Sequence, residues 1–137
     1  MKRVAIVLTK DLDRGQAGNV SAILMGQVGL FEPELYGSYP IYDRDGNRHA
    51  AIRFSTVILE ARNTGQLLTF VQKLTDDGLK IPYFVFSQTG QSLHNAYEQY
   101  RDMVEARQAK DLTPVGVALV GEDEDVRAAT KRFSLMR

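Results

Sequence analysis

Four short apolar runs, at residues 4–8, 56–60, 83–86 and 115–120, constrain the fold of this chain more than any other feature. Each is rich in β-branched or aromatic side chains and is bounded by polar or turn residues, the pattern of strands rather than helices. Their apolarity is nearly continuous instead of alternating, so both faces of the sheet they build need cover. Helical periods fill the segments between them. Alternation of this kind predicts an α/β fold, and we expect a three-layer α/β/α arrangement with a four-stranded, mostly parallel sheet and an inserted hairpin.

The helical segments carry their own start and stop signals. Asp13 followed by Gln16 has the spacing of a capping box, and Ala17, Val20, Leu24 and Val28 then recur on one face, although Gly18, Gly26 and Gly29 weaken the helix. Asn63 and Gln66 repeat that spacing ahead of a stripe of Leu67, Leu68, Val71 and Leu74, with Gly78 where a C-terminal cap belongs. Leu93, Ala96, Tyr97, Tyr100 and Val104 form a third stripe, in which the tyrosines are read as core. The acidic run Glu122-Asp123-Glu124-Asp125 opens a final helix that ends in Lys131 and Arg132. Acid first and base last is what the helix dipole favours, so the run is not read as a cation site.

Between the first helix and the second strand, Asp43-Arg44-Asp45-Gly46-Asn47 is turn chemistry flanked by Tyr39-Pro40-Ile41-Tyr42 and Ala50-Ala51-Ile52. A projecting hairpin is expected there. It serves either as local cover for a sheet edge or as a tyrosine-rich surface for a homodimer.

Composition limits the function classes. A chain of 137 residues that is 44% apolar supplies one substantial core, so a single domain spanning 1–137 is expected. With 17 basic against 17 acidic side chains there is no broad field to draw in nucleic acid or anionic lipid. The absence of Cys excludes disulfides and thiolate chemistry and fits a reducing cytoplasm. His49 and His94 are too few for a His-based metal site, and neither metal nor cofactor is expected. Met1-Lys2-Arg3 runs into an apolar stretch too short for a signal or membrane span, which is read as a buried first strand.

Ligands of open α/β sheets usually sit beyond the carboxyl ends of the strands, where helix N-termini point. That rule selects Lys10, Asp11, Arg14, Gln16 and Asn19 after the first strand, and Ser87, Gln88 and Thr89 after the third, as candidate ligand-binding residues. Together they offer cations, a carboxylate, amides and hydroxyls for an anion or a carbonyl compound. They spell no G-x-S-x-G, no G-x-x-x-x-G-K-S/T and no G-x-G-x-x-G. Each also has an ordinary structural use, in capping, in turns or as a solvated charge.

Three segments resemble the peptidyl-tRNA hydrolase II superfamily, and more closely an uncharacterised bacterial branch of it. They are Val4-Ala5-Ile6-Val7-Leu8-Thr9-Lys10-Asp11-Leu12 with Gly15; Gly78-Leu79-Lys80-Ile81-Pro82-Tyr83-Phe84-Val85-Phe86; and Gly116-Val117-Ala118-Leu119-Val120-Gly121 with residues 126–135 as a terminal helix. The resemblance implies that this four-stranded sheet is mixed, with a last strand that runs antiparallel to its neighbours. It also exposes departures, because those hydrolases carry lysines where this chain has Gln16 and Gly18. Their Asp-Ala-Gly-Arg-Thr run is replaced by Gln88-Thr89-Gly90-Gln91. A neutral amide is no general base near neutral pH, and lost cations weaken the grip on a phosphate backbone. The sequence therefore predicts a small-molecule-binding protein with a rebuilt polar pocket that lacks peptidyl-tRNA hydrolysis. A hydrolase of peptidyl-tRNA or a small ester using Lys10 or Asp11, and a dimeric adaptor, are the alternatives.

Overall fold

The computed structural model describes residues 1–76, 78, 81–91 and 97–137. In chain order the elements are β1 (Lys2–Thr9), α1 (Arg14–Phe31), a 3-10 turn (Pro33–Tyr36), β2 (Ile41–Tyr42), β3 (Arg48–His49), β4 (Ser55–Ala61) and α2 (Thr64–Asp76). They continue with β5 (Tyr83–Ser87), α3 (Gln88–Gln91), α4 (Tyr97–Glu105), a 3-10 turn (Ala109–Asp111), β6 (Pro114–Glu122), α5 (Asp123–Thr130) and β7 (Ser134–Leu135). All four apolar runs are strands, and β2 and β3 pair as the expected hairpin.

The sheet corrects the expectation in two respects. It has five strands in the order β5-β6-β1-β4-β7, and only β1 and β4 are parallel neighbours. β6 pairs antiparallel with β1 on one side and with β5 on the other, and β7 pairs antiparallel with β4. β5 does run in the direction of β1. The insertion of β6 between them turns a potential parallel pair into two antiparallel ones, so the sheet is mixed but not mostly parallel.

Side-chain alternation along β1 divides the core. Val4, Ile6 and Leu8 join Val20, Leu24 and Val28 of α1, whereas Ala5 and Val7 join Leu67, Phe70, Val71 and Leu74 of α2 and Val126 of α5. Full burial of each such aliphatic side chain stabilises by about 1.5–3 kcal/mol. Gly116 on β6 lets α1 approach closely, because an added Cβ would stand 2.8 Å from Val20 Cγ1 and 2.9 Å from Leu24 Cδ1.

Both predicted helix starts are real. Asp13 and Gln16 form a reciprocal capping box, and Asn63 Oδ1 accepts from the Gln66 backbone N–H at 2.9 Å. Past α2, Gly78 takes a left-handed φ of 58°.

Two helical expectations change. The terminal helix ends at Thr130; beyond it Phe133 turns into the core, 4.9 Å from the Phe70 ring, and residues 134–135 extend along β4. In α4, Tyr100 stacks near Phe86 at 5.6 Å as core, but Tyr97 is 74% exposed and lies beside the Arg101 guanidinium. Leu93 and Ala96 of that stripe, with His94, lie outside the described residues, as do Leu79 and Lys80 of the segment before β5.

Candidate functional site

The loop after β1 is built by short-range bonds. Lys10 N–H donates to the Ala61 carbonyl at 2.8 Å, tying the end of β1 to the end of β4, and Leu12 N–H donates to the Thr9 carbonyl at 3.3 Å. Asp13 then closes the turn: its carboxylate accepts from Gln16 N–H at 2.8 Å, while Gln16 Oε1 accepts from Asp13 N–H at 3.0 Å. With its backbone fixed in this way, the loop presents Lys10 and Arg14 at the carboxyl rim of the sheet.

Between this loop, the first turns of α1 and the β4–β7 pair lies an open groove of about 570 Å3. Its apolar side is formed by Leu8, Leu12, Ala17, Ile58 and Met136. Its polar side carries Lys10, Asp13, Arg14, Ser21, Glu60 and Arg137. Among the described residues, no hydrogen bond or ion pair engages the side chains of Lys10, Arg14, Glu60 or Arg137. The groove therefore combines apolar surface with charged heads that have no protein partner.

The expected site residues divide. Lys10 and Arg14 line the groove. Asp11 is exposed and accepts a long 3.4 Å hydrogen bond from the Thr9 hydroxyl. Gln16 is committed to the capping box, and Asn19 is an exposed residue on α1. Neither amide is among the residues lining the groove.

The loop after β5 reaches the same rim, since Leu8 of β1 pairs with Gly116 and Ser87 of β5 pairs with Pro114. β6 nevertheless separates the two loops. Ser87 is buried, and its N–H donates to the Tyr100 hydroxyl at 3.3 Å. It faces a different hollow of about 250 Å3, shared with Val85, Tyr100, Val104 and Leu112. Gln88 is exposed and opens α3, its N–H bonded to the Thr113 carbonyl at 2.9 Å, and Thr89 is half-buried beside it. Among the described residues, Lys10 and Arg14 thus line one hollow and Ser87 another.

The opposite rim holds a hollow of about 600 Å3 in which Lys2, Glu32 and Glu122 are paired within the protein, while Lys73 and Asp125 have no hydrogen bond or ion pair among the described residues. Lys2 Nζ lies 2.9 Å from Glu32 and 3.4 Å from Glu34, and the Glu32 hydrogen bond raises its pKa above the usual lysine value. Glu122 bonds the N-terminal ammonium at 2.9 Å, which holds its carboxyl below the ordinary range. Those paired charges have less to offer a ligand than the unpaired ones of the first-loop groove.

Sequence reasoning missed Glu60, Met136 and Arg137. Glu60 could have been found by alternation: it falls two residues after Ile58, on the face that α1 covers. Met136 and Arg137 gave no usable signal, because they followed a stretch read as helix.

Fold and site together define a small α/β protein with an amphipathic groove at the carboxyl rim of its central parallel pair. The family model described as a protein of unknown function, DUF2000, matches residues 2–137, and the chain belongs to that family. A solved structure of a protein of unknown function from Agrobacterium tumefaciens strain C58 is similar at a TM-score of 0.82 and 22% identity, over 99% of this chain and 98% of that one. That likeness shows the fold. No curated protein is significantly similar in sequence. Neither finding carries the peptidyl-tRNA hydrolase II resemblance, which rests on the residues quoted above. No helix among the described residues is long and apolar enough to cross a membrane.

Proposed function

We propose that the protein binds a small molecule in the groove beside the first loop, on a scaffold resembling peptidyl-tRNA hydrolase II and without that enzyme's activity. The observation that carries this reading is the pairing of apolar lining with the unpartnered charges of Lys10, Arg14, Glu60 and Arg137 in a hollow of about 570 Å3. Ligand sites commonly measure roughly 300–1,000 Å3 and place a few polar groups against apolar walls. The amides Gln16 and Gln88, which occupy positions charged in the resembling enzymes, now serve as a helix cap and an exposed residue at the start of α3. Neither supplies a general base.

A thermal-shift screen across metabolite classes tests the reading, using Ala17→Trp to fill the groove. A compound that stabilises the wild-type protein is expected to leave Ala17→Trp unshifted and to act fully on Gln16→Ala and Gln88→Ala. Equal stabilisation of Ala17→Trp, or no response to any class, overturns it.

A second reading, homodimerisation through the hairpin, is favoured by Tyr39, Ile41, Tyr42 and Ile52, each more than half exposed. An isolated two-stranded hairpin is marginal in water, and a partner surface would steady it. Light scattering of wild type against Tyr42→Asp decides: a dimer mass that falls to the monomer's supports it, and a wild-type monomer ends it.

A further inference from the structure

We propose that the ligand class of the groove is an amphipathic monocarboxylate, its anionic head held by Lys10 and Arg14 and its apolar body laid along Leu12, Ala17, Ile58 and Met136. This rests on the groove being a binding site and adds what it binds.

The apolar requirement comes from the lining. Leu8 is fully buried beneath the groove, and Leu12, Ala17, Ile58 and Met136 each pack partly against the α1-side core while leaving surface in the hollow. Water over such a surface is displaced favourably by a hydrocarbon, whereas a wholly polar solute leaves it uncovered. A simple inorganic anion is therefore a poor match.

The sign of the head follows from which charges are spent. Three basic side chains, Lys10, Arg14 and Arg137, line the groove beside two acidic ones, Asp13 and Glu60. Asp13 already accepts from the backbone of α1. The three cations have no hydrogen bond or ion pair among the described residues, so an incoming carboxylate meets donors that no protein acceptor has taken. An ammonium head offers Lys10 and Arg14 no acceptor and meets their like charge.

Glu60 limits the charge. It is half-buried on β4, opposite Leu8 in the strand register, and its side chain has no hydrogen bond or ion pair among the described residues. A doubly charged phosphate or a polyanion would bring like charge against it, and nucleic acid brings many such charges. One negative charge satisfies the cations with the least repulsion. Glu60 remains free to accept from a hydroxyl or amide elsewhere on the ligand.

The test uses the full chain and five probes: octanoate, octanol, octylammonium, acetate and octyl phosphate, titrated while backbone amide shifts are followed by NMR. Octanoate is expected to perturb residues 8–21, 58–60 and 136–137. Octanol, acetate and octylammonium each remove one half of the match and are expected to bind at least about tenfold more weakly. Lys10→Ala and Arg14→Ala are expected to weaken octanoate by about five- to tenfold while leaving octanol unchanged, and Lys10→Arg to retain most of the affinity. Met136→Asp, which sets a carboxylate on the apolar wall, is expected to lose octanoate while the amide shifts of α2 and of the hairpin stay at their wild-type positions.

Octanol binding the groove as well as octanoate would sink the carboxylate assignment and leave the groove a binding site. Octyl phosphate binding about tenfold tighter than octanoate would reassign the head to phosphate. If no probe perturbs the groove residues, both this assignment and the groove reading fall.

Discussion

Asp13 and Asp43 organise two turns with the same chemistry, and the two turns differ in what lies beneath them. The Asp13 carboxylate accepts the Gln16 N–H at 2.8 Å and opens a helix whose Val20, Leu24 and Val28 are buried. The Asp43 carboxylate accepts from Asp45 N–H at 2.9 Å and Asn47 N–H at 3.0 Å, and lies 2.7 Å from His49 Nε2. The residues around it, 37–50, are all exposed. A local hydrogen-bond hub is therefore a detail of a larger cooperative unit in the first case and most of the organisation in the second. Satisfied polar groups define a turn's shape; only burial ties that shape to the stability of the whole protein.

Breaking the seat of α1 should have the largest effect. Gly116→Val places a side chain where Val20, Leu24 and Leu8 already stand within 3.0 Å of an added Cβ. We expect a loss of about 1–3 kcal/mol in urea unfolding, with disturbed amide shifts at residues 10–19 and none in the hairpin. Equal disturbance of both regions would mean that α1 and the hairpin belong to one cooperative unit.

Asp13→Ala comes next. Loss of the cap should cost about 1 kcal/mol of global stability, read from the denaturation midpoint, because the helix it caps is part of the core. Asp43→Ala should leave that midpoint unchanged while the shifts of residues 41–49 collapse toward coil values. A matching fall in global stability would show that the hairpin is coupled to the sheet after all.

The smallest effect is in acid. The His49 hydrogen bond, followed by the Asn47 N–H, holds the Asp43 carboxyl at about 2 rather than 3.8. A carboxyl depressed in the folded state contributes order that is full above its unfolded value and is lost as pH falls through its folded one. Hairpin shifts should therefore move between pH 3.8 and about 2, with a midpoint near the lower value. Titration near 3.8 would mean that the hub is not formed in solution.

What the sequence made legible follows the same division between local and global causes. The apolar runs and the Asp13–Gln16 spacing announce β1, β4, β5, β6 and α1 because their signals lie within a few residues of each other. Lys10 and Arg14 were reachable from the rule that strand ends carry ligands. The partners they face were not, since Glu60 and Met136 become their neighbours only through strand order and the β4–β7 pairing. A two-residue strand such as β7 has no period to detect, and Phe133 reads equally well as the last turn of a helix. The separation of Ser87 from the first loop depends on β6 lying between β1 and β5, which no local pattern encodes.

The place of β6 between β5 and β1 has a consequence during synthesis. β1 is complete after residue 9, yet the neighbour that covers its second edge spans residues 114–122. Synthesis must pass through residues 114–122 before the older strand finds that mate. Contacts so distant along the chain slow the search for the native arrangement. An emerging polypeptide thus carries a sticky, half-satisfied ribbon for much of its elongation, a period in which chaperone occupancy should be highest.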